Sequence, residues 1–274
     1  MTSRFIPQLW SARLLFNLQA KTVYANIVNR DYEGEIKNQG DTVKINSISN
    51  VTIGKYVKGQ DIGKAESLTG QTTELKIDQA NFFNITVDDI DAVQANVKLM
   101  DAGMVKAGVQ LADAFDKAIA ESYVDAGLTL GTDEAPVVIT KENVFDAIMD
   151  AGLKLDEANV QTDGRFMVVP HFVASMLARS PQFLSANNEV AKNGYVGTAG
   201  GFQIYASSNV PNTAGEKYKV LAGTRQAISV AEQISSIKTY EPEGTFATNV
   251  KGLHVFGVAV VQPDALLTMT VNRG

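Results

Sequence analysis

Asn81–Val124 reads NFFNITVDDIDAVQANVKLMDAGMVKAGVQLADAFDKAIAESYV, and it sets the architecture of the whole chain. Phe82, Phe83, Ile85 and Val87 predict a short buried strand over Asn81–Val87. Asp88 or Asp89 then opens a helix, where an aspartate caps free amides and complements the helix dipole. Ile90, Val93, Val97, Met100, Met104, Ala107, Leu111, Phe115, Ala118 and Ser122 follow at spacings of three and four. Gly127 is placed to close the helix as a C-cap residue. Asp88–Val124 is 37 residues, about 55 Å at ~1.5 Å each and roughly three times the mean helix length. A helix that long serves its domain as a spine. Gly103 and Gly108 each cost ~1 kcal/mol against Ala, and close packing of another backbone would account for them.

Upstream, the pattern has period two. Val43 and Ile45 alternate with Lys44 and Asn46, and Leu75 and Ile77 with Glu74, Lys76 and Asp78. Gly54, Gly59, Gly63 and Gly70 mark a long polar ribbon tip between the two runs. Read as one strand, Thr42–Val57 spans roughly 50 Å at ~3.3 Å per residue. A lone two-stranded ribbon is marginal in water, so this segment is either a floppy insertion or lies against something else. Before it, Leu9, Ala12, Phe16, Ala20, Val23 and Ile27 make a helical stripe that serves as core or docks on a neighbouring chain.

Downstream the pattern becomes α/β. Thr140 caps a helix carrying Val144, Ile148, Ala151 and Leu155, and Arg165–Val169 is a short apolar strand. Pro170 opens a helix with Val173, Met176 and Leu177 that Ser180 and Pro181 break, and Gln182–Ser185 add a turn. Gly194–Gly201 has the wrong spacing for a dinucleotide fingerprint and reads as a flexible loop opening the strand Phe202–Ala206. Tyr218–Leu221, Ile234–Tyr240, Leu253–Val261 and Leu267–Val271 are further strands, the last two joined through Pro263.

Composition narrows the chemistry. The chain has 274 residues, 45% hydrophobic and 20% charged, within the range of globular proteins. Lys plus Arg is 24 against 30 Asp plus Glu, a net charge of -6. A protein that condenses nucleic acid through a basic surface is thereby excluded. The absence of Cys removes disulfide scaffolds, thiol nucleophiles and thiolate metal sites. No run approaches ~18 apolar residues, so no membrane span is expected. Arg13 interrupts the N-terminal apolar run, so no signal peptide is expected either, and the chain should stay in the cytoplasm.

No motif supplies an active site. Gly59-Gln-Asp-Ile-Gly63-Lys64-Ala65 is one residue short of a phosphate loop and ends in Ala where a magnesium-binding hydroxyl belongs. His171, at a helix start, and His254, mid-strand, read as structural, because no ligand or nucleophile is placed beside either by sequence. Asp88, Asp89 and Asp91 read as a capped acidic helix start, and Glu241 and Glu243 as a solvated turn. No enzyme, metal or cofactor is expected.

The order of elements, with Gly40–Ile45, Arg165–Pro170, Gly200–Tyr205, Ser208–Pro211, Ala227–Gln233 and Gly252–Pro263 in place, resembles the major capsid proteins of tailed bacteriophages with the Hong Kong 97-type (Johnson) fold. The resemblance covers essentially the whole chain. It implies an α+β fold: an N-terminal arm (1–39), an extended β-hairpin loop (40–80), a peripheral domain with the spine helix (81–136 and 242–274) and an α/β axial domain (137–241). It also implies hexamers and pentamers around the axial domain, with the loop lying across the adjacent subunit. Lys55, Tyr56, Lys58, Asp61, Lys64 and Glu66 are then the expected inter-subunit contacts. One relative welds its shell by an isopeptide bond from a loop Lys to a neighbour's Asn, a role that would here fall to Lys55, Lys58 or Lys64 with Asn249. These lysines read instead as solubilising edge charges.

The resemblance implies an icosahedral shell around double-stranded DNA, located in the virion and assembled in the host cytoplasm. A separate scaffolding protein, or none, and a portal are the implied partners. DNA is held without sequence-specific binding, and no membrane is involved. An encapsulin nanocompartment shares the fold, and a soluble α/β enzyme is the rival of another class. The charge partition fits passive containment: 88–125 holds eight acids against three lysines, while 40–80 is balanced at five against five. The acidity is thus expected on one helix, as part of a wall that does not grip DNA.

Overall fold

The period-two alternation produces an antiparallel ribbon in which β1 (Thr42–Ile48) pairs with β2 (Gly70–Lys76), from Thr42 opposite Lys76 to Ile48 opposite Gly70. A computed structural model describes residues 21–32, 40–48, 58, 70–88, 98–180, 183, 195–213, 215–241, 243–244 and 247–274. The expected extension of β1 to Val57, the ribbon tip apart from Lys58, and the stripe from Leu9 to Ala20 lie outside them. At the ribbon base, Val43, Ile45, Leu75 and Ile77 are buried against Ala231 and Val255. These two belong to β11 (Ile228–Tyr240) and β12 (Ala247–Val260). The base is therefore fixed by apolar burial on its own subunit.

The ribbon can lie this close because β12 carries Gly257, where a Cβ would collide with the Lys76 carbonyl oxygen. Gly257→Ala should lift the ribbon base and cost about 1–3 kcal/mol, the usual penalty for overpacking. Chemical denaturation monitored by circular dichroism checks this, with Gly244→Ala, which meets nothing within 4 Å, as the control.

β12 is central in a three-stranded antiparallel sheet of order β11-β12-β3, with β3 spanning Gln79–Asp88. The buried strand expected at Asn81–Val87 is thus an edge strand. Phe83 and Ile85 pack with Met104, Ala107 and Leu111, whereas Phe82 faces away and is 79% exposed. Period two puts successive side chains on opposite faces, and only one face of β3 meets a helix.

That helix is the spine, α2 (Lys98–Ala120), continued by a 3₁₀ turn at Glu121–Asp125. Asp88 ends β3 instead of capping a helix, and residues 89–97 lie outside the description. Two glycine readings also change. A Cβ at Gly103 would make ordinary contact with the Ile85 side chain, so no backbone presses there. At Gly127, which follows the Ala126 cap, a Cβ would lie 2.8 Å from the Pro263 carbonyl, and its N–H donates to that oxygen at 2.9 Å. Close approach of the 263 turn, not helix capping, selects glycine at 127.

The second sheet has eight strands. Its path is β4 (Leu128–Leu130), β13 (Leu266–Arg273), β10 (Lys217–Thr224), β6 (Arg165–Val169), β8 (Phe202–Ala206), β7 (Tyr195–Ala199), with β5 (Val137–Ile139) on β13 and β9 (Asn212–Thr213) on β10. On one face, α3 (Val144–Glu157) and α4 (His171–Leu177) bury Ile148, Leu155, Val173 and Leu177 against Met167, Val169, Ile204 and Met269. On the other, Phe166, Val168 and Leu221 meet Phe115 and Ile119 of the spine and Tyr24 of a short helix α1 (Tyr24–Ile27). Coverage on both faces explains why Arg165–Val169 reads as an unbroken apolar run.

One expectation gives way here. Gly194–Gly201 is not a loop throughout: Tyr195–Ala199 is β7, antiparallel to β8, and Gly200 and Gly201 (φ 58° and 81°) form the turn between them. Strand pairing also crosses the expected domain bounds. β11, within 137–241, pairs with β12, while β4 and β13, from 81–136 and 242–274, join the sheet of β6 and β10.

Candidate functional site

Of the expected contact residues, Lys58 is exposed in a turn. Lys55, Tyr56, Asp61, Lys64 and Glu66 lie outside the described residues. Asn249 lies in β12 opposite Tyr240 of β11 and Thr86 of β3, 7% exposed, and its Oδ1 is buried without a hydrogen bond among the described residues. The Asn84 amide donates to the Tyr240 hydroxyl at 3.1 Å, and Lys251 Nζ stands 4.9 Å above the Tyr240 ring. Hydrogen bonding, from Asn249 first and then Asn84, lowers the Tyr240 phenol.

Ordinary structural work accounts for the expected histidines. His254 is buried, with Nε2 2.8 Å from Glu232 Oε2 and the Phe115 ring edge-on at 5.6 Å. The other Glu232 oxygen binds the half-buried Arg30 guanidinium, so Arg30, Glu232 and His254 form one chain whose last two members are buried. Arg30 enters it because Asn29 is annealed to β11. The Asn29 N–H donates to the Ile228 carbonyl at 3.0 Å, and the Val230 N–H to the Asn29 carbonyl at 2.9 Å. His171 Nε2 lies 3.1 Å from Ser208 Oγ at an exposed position.

Sequence reasoning missed Asp116. Its carboxylate, 2% exposed, accepts the Val23 N–H at 2.7 Å and the Ala25 N–H at 3.3 Å, holding the start of α1 on the spine. Burial is the main influence on this carboxyl and raises it to about 6, against the lowering effect of those amides and with a further push from Asp113. A signal was present: Ala112, Asp116 and Ile119 share the apolar side of the helix at helical spacing. An acid on that side must find donors or remain protonated.

Two further polar anchors are structural. Lys219, 6% exposed, donates to Asp133 Oδ1 at 2.6 Å and to Thr270 Oγ1 at 3.1 Å, pinning the Gly131–Pro136 turn to the sheet. The Lys219 hydrogen bond, above all, lowers the Asp133 carboxyl. Arg165, also buried, binds Asp156 at 2.8 Å and the Gln161 carbonyl at 2.8 Å. Among the described residues, no group of three or more His, Cys, Asp or Glu is placed to hold a metal ion. None of the described helices is long and apolar enough to cross a membrane.

An open apolar groove of about 660 Å³ runs along β3 and the spine, lined by Phe82, Phe83, Ile85, Lys106, Ala107 and Leu111. The described residues present exposed apolar surface and polar anchors between segments. Such an arrangement can hold protein to protein.

Comparison with known proteins agrees. A family model described as "Phage capsid protein" matches residues 70–269. A solved structure from Mycobacterium phage Che8 is similar over 98% of this chain and 98% of that one, at 29% identity and a TM-score of 0.71. A capsid structure of Cyanophage P-SCSP1u gives 14% identity and a TM-score of 0.71, covering 92% and 89% of the two chains. A virus-like particle from Pyrococcus furiosus gives 12% and 0.60, covering 96% and 98%, a likeness of fold alone. No match is found among curated proteins.

Proposed function

The chain belongs to the phage capsid protein family, a structural protein with the Hong Kong 97-type fold, and from that premise we propose that its copies ring into hexamers and pentamers and close an icosahedral shell around phage double-stranded DNA. The carrying observation is the whole-length likeness to the Che8 structure, 98% of each chain at 29% identity. In this reading 137–241 serves as the axial body around which capsomers form. Residues 81–136 and 242–274 serve as the periphery, and the ribbon crosses the neighbouring subunit through Lys55, Tyr56, Lys58, Asp61, Lys64 and Glu66.

A separate scaffolding protein sets the shell's curvature, and a portal admits the DNA. Assembly takes place in the host cytoplasm. The net charge of -6 favours containment without tight binding, so filling is driven from elsewhere. The spine contributes less to that field than its acid count suggests, because Asp116 is buried and Asp113 is paired with Lys117.

Electron microscopy of the purified full-length protein should show closed shells, or rings of five and six. A small monodisperse oligomer would return the enzyme reading. Shells enclosing cargo protein, encoded beside a ferritin-like or peroxidase gene in place of a portal or packaging ATPase, would favour the encapsulin alternative.

A further inference from the structure

The stretch from Thr22 to Arg30 is held by polar contacts of different chemistry at its two ends, with Tyr24, Ala25, Ile27 and Val28 buried in the core between them. At its C-terminal end, residues 28–30 are held by backbone pairing of Asn29 with β11, by Arg225 Nε on the Val28 carbonyl at 3.3 Å, and by the Arg30–Glu232–His254 chain. At its N-terminal end, the amides of Val23 and Ala25 rest on Asp116. Among the described residues, no Lys or Arg forms an ion pair with that carboxylate. The nearest charged groups on its own helix, Asp113 and Lys117, pair with each other at 2.7 Å. Tyr24 lies buried beside it, its phenol raised first by burial and then by the Asp116 charge. A recess of about 340 Å³, lined by Lys21, Thr22, Asp113, Asp116, His171 and Ser208, connects the site to solvent.

Burial, first, and the nearby Asp113 carboxylate disfavour the charged form of Asp116, the amides that it accepts favour it, and burial prevails. We propose that residues 22–27 form a proton-linked latch: Asp116 takes up a proton as this segment seats on the spine helix, so mild acid tightens the seat and neutral or alkaline pH loosens it.

The sign follows from linkage. With the segment seated the Asp116 carboxyl titrates at about 6, against 3.8 ordinarily, so the seated state binds the proton more tightly. Seating is therefore strongest at low pH and weakens as pH rises through 6. From pH 7.5 to pH 5 the seating equilibrium should rise about tenfold.

Amide hydrogen exchange on the full chain, corrected for intrinsic rates, reads this directly. Protection of Val23 and Ala25 should rise about tenfold from pH 7.5 to pH 5, while the Asn29 amide stays constant. Asp116→Asn should flatten the pH dependence to less than about twofold, and His171→Gln should leave it intact. Flat or falling wild-type protection on acidification overturns the latch, as does loss of the dependence in His171→Gln. Should Asp116→Asn fail to fold, isotope-edited spectroscopy of the wild-type Asp116 carboxyl decides: a midpoint near 6 supports the proposal and one near 4 overturns it.

Discussion

Glu232→Ala is expected to cost the folded chain about 3–5 kcal/mol, the range found when one member of a buried ionic group is removed. Glu232 uses both carboxylate oxygens, one for Arg30 and one for His254 Nε2 at 2.8 Å. Among the described residues His254 Nδ1 already has no hydrogen-bond partner, so losing Glu232 would strand the whole ring inside the three-stranded sheet. The Arg30 guanidinium would lose its carboxylate at the place where the N-terminal segment joins β11. The damage should be lopsided. Denaturant midpoints should fall, and trypsin should cleave after Arg30 earlier than elsewhere. Glu232→Gln keeps an acceptor for Arg30 and should cost less than the alanine variant. If Glu232→Ala denatures within about 1 kcal/mol of wild type, the chain is not an anchor and β11–β12 holds without it.

His254 marks where sequence reading stops. Its neighbours Leu253 and Val255 fixed it as a strand residue and suggested a structural role, yet nothing local pointed to Glu232, its partner 22 residues away across the β11–β12 pairing. Asp116 is similar, since its donors lie more than 90 positions earlier in the chain. What local periodicity controls was readable: the base of the ribbon, the spine, and the apolar strand Arg165–Val169. What depends on which strand neighbours which was not. Phe82 looked like core because β3 is apolar, and β3 lies at an edge because β12 pairs with β11 on its other side. That β11, within 137–241, pairs antiparallel with β12 was likewise not visible in the order of elements. The contact residues from Lys55 to Glu66 rest on the resemblance alone, because a polar ribbon tip has no hydrophobic pattern that fixes what it touches.

Deleting the ribbon tip, Gly54–Gly70, should leave a folded subunit that no longer makes stable shells. The fold should survive because the pairs from Thr42–Lys76 to Ser47–Gln71 remain, as does the burial of Val43, Ile45, Leu75 and Ile77. Loop length has only a weak, logarithmic effect on closure entropy, so the denaturant midpoint should move little. Assembly is different, because a shell repeats each contact in every copy. A ribbon contact of modest strength, lost from all copies at once, removes the multivalent gain that holds the whole closed. The expected micrograph is one of rings or free subunits where wild type gives particles. Lys141→Ala, which trims one exposed charge away from the ribbon, should assemble normally, since single surface charges contribute little. Normal particles from the deletion would show that the ribbon is dispensable, and shell cohesion would then have to come from the axial and peripheral surfaces alone.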